Sequence, residues 1–137
     1  MRTPEFFQKH GAGYLPDYLD IQIVETAPTQ LVARLVIQKH HLAPNGFLHA
    51  ATVIALADTA CGYGCVNALP EGAKNFTTVE LKSNFLGTAR QGVLQCDAVL
   101  VHGGRTTQVW DATVRAEGKH KVLALFRCTQ MILYDKA

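Results

Sequence analysis

Hydrophobic and polar residues alternate along most of this chain, and the stretch where they stop alternating is the first thing to explain. Leu19–Ala27 and Gln30–Gln38 read as two strands joined by a turn at Pro28-Thr29. In the second, Leu31, Ala33, Leu35 and Ile37 form an apolar face and Val32, Arg34, Val36 and Gln38 the other; a period of two is the mark of a half-buried strand. Four more runs behave the same way: Phe76–Leu86, Val93–His102, Thr106–Ala116 and Lys121–Tyr134. The breaks between the last four fall at Thr88–Gly92, Gly103-Gly104 and Gly118, and glycine-centred breaks between alternating runs signal antiparallel hairpins.

Between the two sets of strands lies the exception. From Leu48 to Val66 the chain is almost wholly apolar and small, with Val53, Ile54, Ala57, Ala60 and Cys61 recurring at three- and four-residue intervals, which predicts a helix. The Pro44 to Gly46 loop precedes it, and Pro70 stops anything that runs past Leu69. A helix that is apolar all round is expected to be buried on all sides. Thr3, Pro4 and Gly11 frame a short N-terminal helix over residues 3–11, and Gly13–Tyr18 reads as a connecting loop. The predicted fold class is therefore α+β: a six-stranded antiparallel sheet wrapped around a long central helix, in one domain spanning residues 1–137. The strand after the helix, with Thr78, Glu80, Lys82 and Asn84 on one face, is a candidate to pair across a dimer.

Composition narrows the function classes. At 48% hydrophobic and 18% charged, the chain is of ordinary globular make-up. A net charge of +2 without a run of Lys or Arg argues against a nucleic-acid partner. Cys61, Cys65, Cys96 and Cys128 lie within helix or strand patterns and form no compact ligand cluster, so no metal is expected. Reduced thiols and the absence of a leader sequence fit the cytoplasm. The central helix has about the length of a bilayer span, but a mid-helix carboxylate is expensive in lipid, and no membrane segment is expected.

That carboxylate is Asp58, the one acidic residue in the helix. A carboxylate in an apolar setting needs a partner; Thr59 or Thr78 can supply one, or Asp58 is a base or nucleophile kept reactive by its surroundings. The other end of the helix offers a complementary tool. Near His49, Ala50 and Ala51 the backbone N–H groups lack intrahelical partners and the dipole favours negative charge, so this end can polarise a carbonyl, with His49 beside it as a further donor. Ala50 and Asp58 are eight residues apart, about 12 Å along a helix axis. One carbonyl cannot contact both within the same helix, so a site using both requires two copies of the chain.

The segment Asn45-Gly46-Phe47-Leu48-His49-Ala50-Ala51 followed by Asp58 resembles the hotdog-fold acyl-CoA thioesterases of the PaaI-like group, as do the stretches from Thr77 to Leu86 and from Gly103 to Thr106. The resemblance covers nearly all of the chain beyond residue 12. It implies a homodimer or homotetramer that hydrolyses a coenzyme A thioester, with coenzyme A entering as part of the substrate and no separate cofactor. It assigns Asp58 the role of general base or nucleophile, the Ala50 N–H of the partner subunit that of polarising the carbonyl, and His49 that of orienting it. Thr78 corresponds to a strand hydroxyl that assists the water. Gly46 and Gly62 fall at substrate-binding positions, and Lys82, Arg90 and Arg105 are candidates for holding the coenzyme A phosphates. Three positions depart from the pattern: Ala50 stands where glycine is common, Ala43 where many members carry an amide, with Asn45 able to supply one nearby, and Gly62 where some members carry Ser or Thr four residues after the acid. Hydratases and dehydratases share this fold, and a non-catalytic acyl-CoA-binding module is the alternative outside enzymes.

Overall fold

The computed structural model describes residues 1–136. The chain runs α1 (Pro4–His10), α2 (Leu15–Tyr18), β1 (Gln22–Ala27), β2 (Gln30–Val36), a 3-10 turn (Lys39–His41), α3 (Ala50–Asn67), β3 (Ala73–Phe85), β4 (Val93–Gly103), β5 (Thr107–Ala116) and β6 (Val122–Tyr134). Thr3 caps α1 by accepting a hydrogen bond from the Phe6 N–H, and Gly11 closes it. Where a loop was expected over Gly13–Tyr18, residues 15–18 form one helical turn instead. Pro16 sits in its first turn, where a missing N–H costs nothing, and Asp17 Oδ2 accepts from the Gly13 N–H.

The six strands form one antiparallel sheet in the order β1-β2-β4-β5-β6-β3. Its concave face meets α3. Leu31, Ala33, Leu35, Leu94, Cys96, Ala98, Trp110, Ala112, Val114, Phe126 and Cys128 from the sheet pack with Val53, Leu56, Ala57, Ala60, Cys61 and Cys65 from the helix. The helix is not buried on all sides, however. Ala50 and Ala51 are exposed, and Ile54, Ala55, Asp58 and Thr59 are only half-buried. Its uniform apolarity therefore exceeds what one copy of the fold covers.

Strand β3 shows the same surplus. Among the described residues it is hydrogen-bonded to β6 alone, leaving its outer edge unpaired over 13 residues. A bulge at Val79 shifts the register between Thr78 and Glu80. Residues opposite one another in a ladder share a face, so Phe76 and Thr78 face inward with Ile132 and Gln130, and beyond the bulge Leu81, Ser83 and Phe85 face inward with Cys128, Phe126 and Ala124. Even so, Val79, Leu81 and Phe85 remain 52%, 39% and 46% exposed. A long edge strand with uncovered apolar side chains is a template for another chain.

Close packing is tightest where α3 crosses β5. A Cβ on Gly64 would stand 2.7 Å from Trp110 Cη2 and Cζ3. The indole cannot step aside: Trp110 Nε1 donates to Gln108 Oε1 at 2.8 Å, and Gln108 Nε2 donates to the Ala68 carbonyl at 2.8 Å. Gly64→Ala is expected to cost about 1–3 kcal/mol by overpacking, read as a lower urea midpoint with an unchanged m-value.

Candidate active site

The segment before α3 is shaped by His41. Its ring is fully buried, with Nδ1 accepting from the Gln38 N–H at 2.9 Å and Nε2 donating to the Leu19 carbonyl at 2.7 Å. Burial holds the imidazole below its ordinary value of 6.5, which suits a neutral ring that must accept at Nδ1. The His41 carbonyl in turn accepts from the His49 N–H at 3.0 Å and from Thr52 Oγ1 at 2.9 Å. The turn between them closes through the Ala43 N–H on the Phe47 carbonyl at 2.7 Å, with Gly46 at φ 86° where a side chain would be strained. Asn45 lies at its exposed tip, its Oδ1 accepting from the Phe47 N–H at 3.0 Å. The Leu48 N–H donates to the Ala89 carbonyl at 2.9 Å, tying the turn to the loop after β3.

These restraints fix how α3 begins. His49 is the N-cap, with extended φ −71° and ψ 135°, and its Nδ1 accepts from the Ala51 N–H at 2.9 Å. The neutral ring then carries its proton on Nε2 and keeps a donor to offer. The Ala50 N–H has no acceptor among the described residues, and Ala50 is exposed. An accessible, unpaired amide at the positive end of an 18-residue helix is a place for a carbonyl oxygen that gathers negative charge.

Two turns further on, Asp58 has the opposite problem. Its Oδ1 is buried without a hydrogen-bond partner, although the residue as a whole is only half-buried. Neither Thr59 nor Thr78, the hydroxyls expected as structural partners, reaches this oxygen, and Thr78 Oγ1 donates instead to the buried Gln130 Oε1 at 2.7 Å. Desolvation alone raises the Asp58 carboxyl above its ordinary 3.8. Such a group is a better base than an exposed aspartate. The thiols near it are no competitors: burial and neighbouring Cys128 push Cys65 up to about 12, and Cys61 and Cys96 are raised as well.

Not all the expected residues gather here. Arg90 stacks its guanidinium 4.2 Å from the Phe47 ring centroid, beside the start of α3. Arg105 lies in the β4–β5 turn, over the Tyr134 ring at 5.9 Å. Lys82 pairs with Arg127 on the outer face of the sheet, away from α3. Gly62 follows Asp58 by one helical turn, with Phe76 of β3 directly above it. The buried pair Gln108 and Gln130 and the buried His41 went unmarked in the sequence, because an isolated Gln in an alternating run carries no periodic signal. Asp20, His40 and His41 bring ligand atoms within 4.8 Å of one another, but both His41 nitrogens are already hydrogen-bonded, so the His41 ring has no free lone pair to offer a metal. Among the described residues no helix is long and apolar enough to cross a membrane.

Comparison with known proteins places these features in a wider set. Residues 45–123 match the model of the thioesterase superfamily. The chain is 28% identical to the 1,4-dihydroxy-2-naphthoyl-CoA hydrolase of Listeria monocytogenes over 84% of its own length and 92% of that protein's. It is 27% identical to the Escherichia coli protein of the same description, over 96% and 95% of the two chains. Among solved structures, a variant of thioesterase PA1618 from Pseudomonas aeruginosa superposes with a TM-score of 0.91 at 22% identity, covering 97% of this chain and 95% of that one.

The isolation of Asp58 has a measurable cost. A carboxyl with its folded pKa above the unfolded 3.8 holds its proton more tightly when folded. Its ionisation therefore destabilises the fold, a penalty absent at pH below 3.8 and complete once pH exceeds the raised value. Asp58→Asn is expected to raise the melting temperature at pH 7, with the gain shrinking as pH falls through the carboxylate range. A lower melting temperature at every pH would contradict this.

Proposed function

The chain belongs to the thioesterase superfamily, and on that premise we propose that it hydrolyses an acyl-CoA thioester at a site assembled from two copies of the chain. The observation that carries this reading is the unpartnered Asp58 Oδ1 on the same helix as an unpaired, exposed Ala50 N–H. Eight residues of helix hold the two about 12 Å apart, whereas a polarised carbonyl and its attacking group must be about 3–3.5 Å from each other. A second copy, pairing β3 with β3 and covering Val79, Leu81 and Phe85, brings its own α3 terminus toward the first copy's Asp58. The names of the two hydrolase relatives, both acting on a coenzyme A thioester, support the substrate class.

In this mechanism the thioester oxygen accepts from the Ala50 N–H of one copy, with His49 Nε2–H near it. Asp58 of the other copy either takes a proton as water adds to the carbonyl carbon, or adds to that carbon itself and is released by water. In both routes the carbon–sulfur bond breaks, the thiolate leaves with the electron pair and takes up a proton, and a carboxylic acid and free coenzyme A remain. A thiolate is stable enough to leave without a general acid, so one carboxylate and one preorganised donor suffice. No metal or resident cofactor is required. Arg90, beside the start of α3, is the basic residue best placed to meet phosphates at the site mouth. The Thr78 hydroxyl proton is directed at Gln130, so its part is to accept a hydrogen bond from water.

Subunit mixing tests the shared site directly. Asp58→Asn removes the base. Ala50→Pro removes the N–H at the first helical position, where proline is tolerated and where the extended backbone of His49 already suits it. Each variant alone is expected to lose at least about a hundredfold in kcat. Mixed, reassociated dimers are expected to recover about a quarter of wild-type turnover, because half are hybrids with one intact site of two. No recovery from two folded, exchanging variants would refute the shared site.

A further inference from the structure

Around Asp58 the fold leaves one way inward for the acyl part of a substrate. The coenzyme A portion, carrying phosphates, must stay toward solvent, and the N-terminal side of Asp58 is where the second copy's helix terminus has to approach. What remains for an acyl groove is the side of α3 that faces β3, where Gly62 lies one turn beyond Asp58 on the same helix face. That groove is closed by a ring. A Cβ on Gly62 would lie 3.0 Å from Phe76 Cζ and 3.6 Å from Cε2, so the phenyl tip sits close over the helix backbone, where an added methyl would displace it slightly. Phe76 faces inward because it pairs with the buried Ile132, and it is itself only half-buried, so part of its ring faces unfilled space. Thr78, two residues on and also inward, stands between the ring and the bulge at Val79.

We propose that Phe76, seated on Gly62, is the end wall of the acyl pocket and restricts this chain to thioesters with compact acyl groups. The proposal rests on the reading of the chain as a thioesterase and adds the residue pair that sets its selectivity. A wall formed by a ring against a glycine can be moved from either side. Phe76→Ala removes the ring and lengthens the groove. Gly62→Ala adds a methyl that forces the tip outward, shortening it. A purely structural Phe76 would behave differently: its truncation would lower stability and slow all substrates alike.

The test is kcat/KM for the wild type, Phe76→Ala, Phe76→Leu and Gly62→Ala on acetyl-, hexanoyl-, benzoyl- and palmitoyl-CoA, read by thiol release. The wild type is expected to favour the compact substrates. Phe76→Ala should raise the palmitoyl-to-acetyl ratio at least about tenfold, the range that a few methylenes control in an apolar pocket. Phe76→Leu, close enough in volume to preserve the fold, should shift it in the same direction by less, and Gly62→Ala should lower the hexanoyl-to-acetyl ratio. Turnover by folded variants with unchanged ratios would overturn the end wall while leaving the thioesterase reading in place. Absence of thiol release by the wild type from every one of these substrates would overturn the thioesterase reading, and the wall with it.

Discussion

A straight α-helix cannot fold its own amino terminus back onto its own third turn, and that constraint governs everything functional in this molecule. The unpaired amide of Ala50 and the carboxylate of Asp58 ride on the same rigid core element, so neither can reach the other. The rigidity is not negotiable, since α3 packs against β2, β4 and β5 across the concave face. Under the proposed function the amide and the carboxylate mark two half-sites, about 12 Å apart along the helix. Each has a polar group without a partner: an N–H lacking an acceptor and a carboxylate oxygen lacking a donor. Only the Asp58 oxygen is buried, and burying a polar group unpaired costs free energy, which a ligand held between copies would recover under the proposed function.

The edge of the sheet bears on the same question from the side of packing. Strand β3 brings inward-facing Leu81 and Phe85 past the reach of α3, so they stay partly exposed, and the bulge leaves Val79 exposed beside them. Edge strands in monomeric sheets are commonly short or guarded by charge; this one is 13 residues long. Apolar cover for β3 and a partner for each half-site are two demands that a single event, pairing of two β3 strands, can meet together. The instability stored at Asp58 belongs with this picture, because residues retained against stability tend to be retained for function.

Much of this was legible in the sequence, and the reasons are specific. Helix α3 declared itself through small apolar residues at helical spacing, and the hairpins of β4, β5 and β6 through alternation broken at glycine. The half-site problem followed from counting eight residues between Ala50 and Asp58. Other features left no trace. The single turn at Leu15–Tyr18 is too short for a period to show. The bulge at Val79 is an insertion into a register, visible only once β6 supplies the other side, and it reversed the expected facing of the strand before it: Thr78 turned inward instead of sharing a face with Lys82, while Leu81, Ser83 and Phe85 still share one face. Burial of Gln108 and Gln130 depends on partners forty or more residues away, the Ala68 carbonyl and Thr78, which no local pattern encodes. The half-exposed flank of α3 differs from its expected burial because hydropathy registers that a face will be covered, not by which chain.

The substitutions that set this chain apart from the common pattern fall into two kinds, and the distinction bears on chemistry. Ala50 for glycine leaves the backbone donor untouched, because the N–H is supplied by the helix start that His41 and His49 build. A methyl at that position can crowd a substrate without removing the charge stabilisation. Gly62 for a hydroxyl-bearing residue is different in kind, since the space it vacates is taken by the Phe76 ring. A polar contact one turn beyond the carboxylate has been exchanged for an apolar wall. On the proposed reading, the contact that limits the acyl group lies one helical turn from a carboxylate whose pKa desolvation already raises.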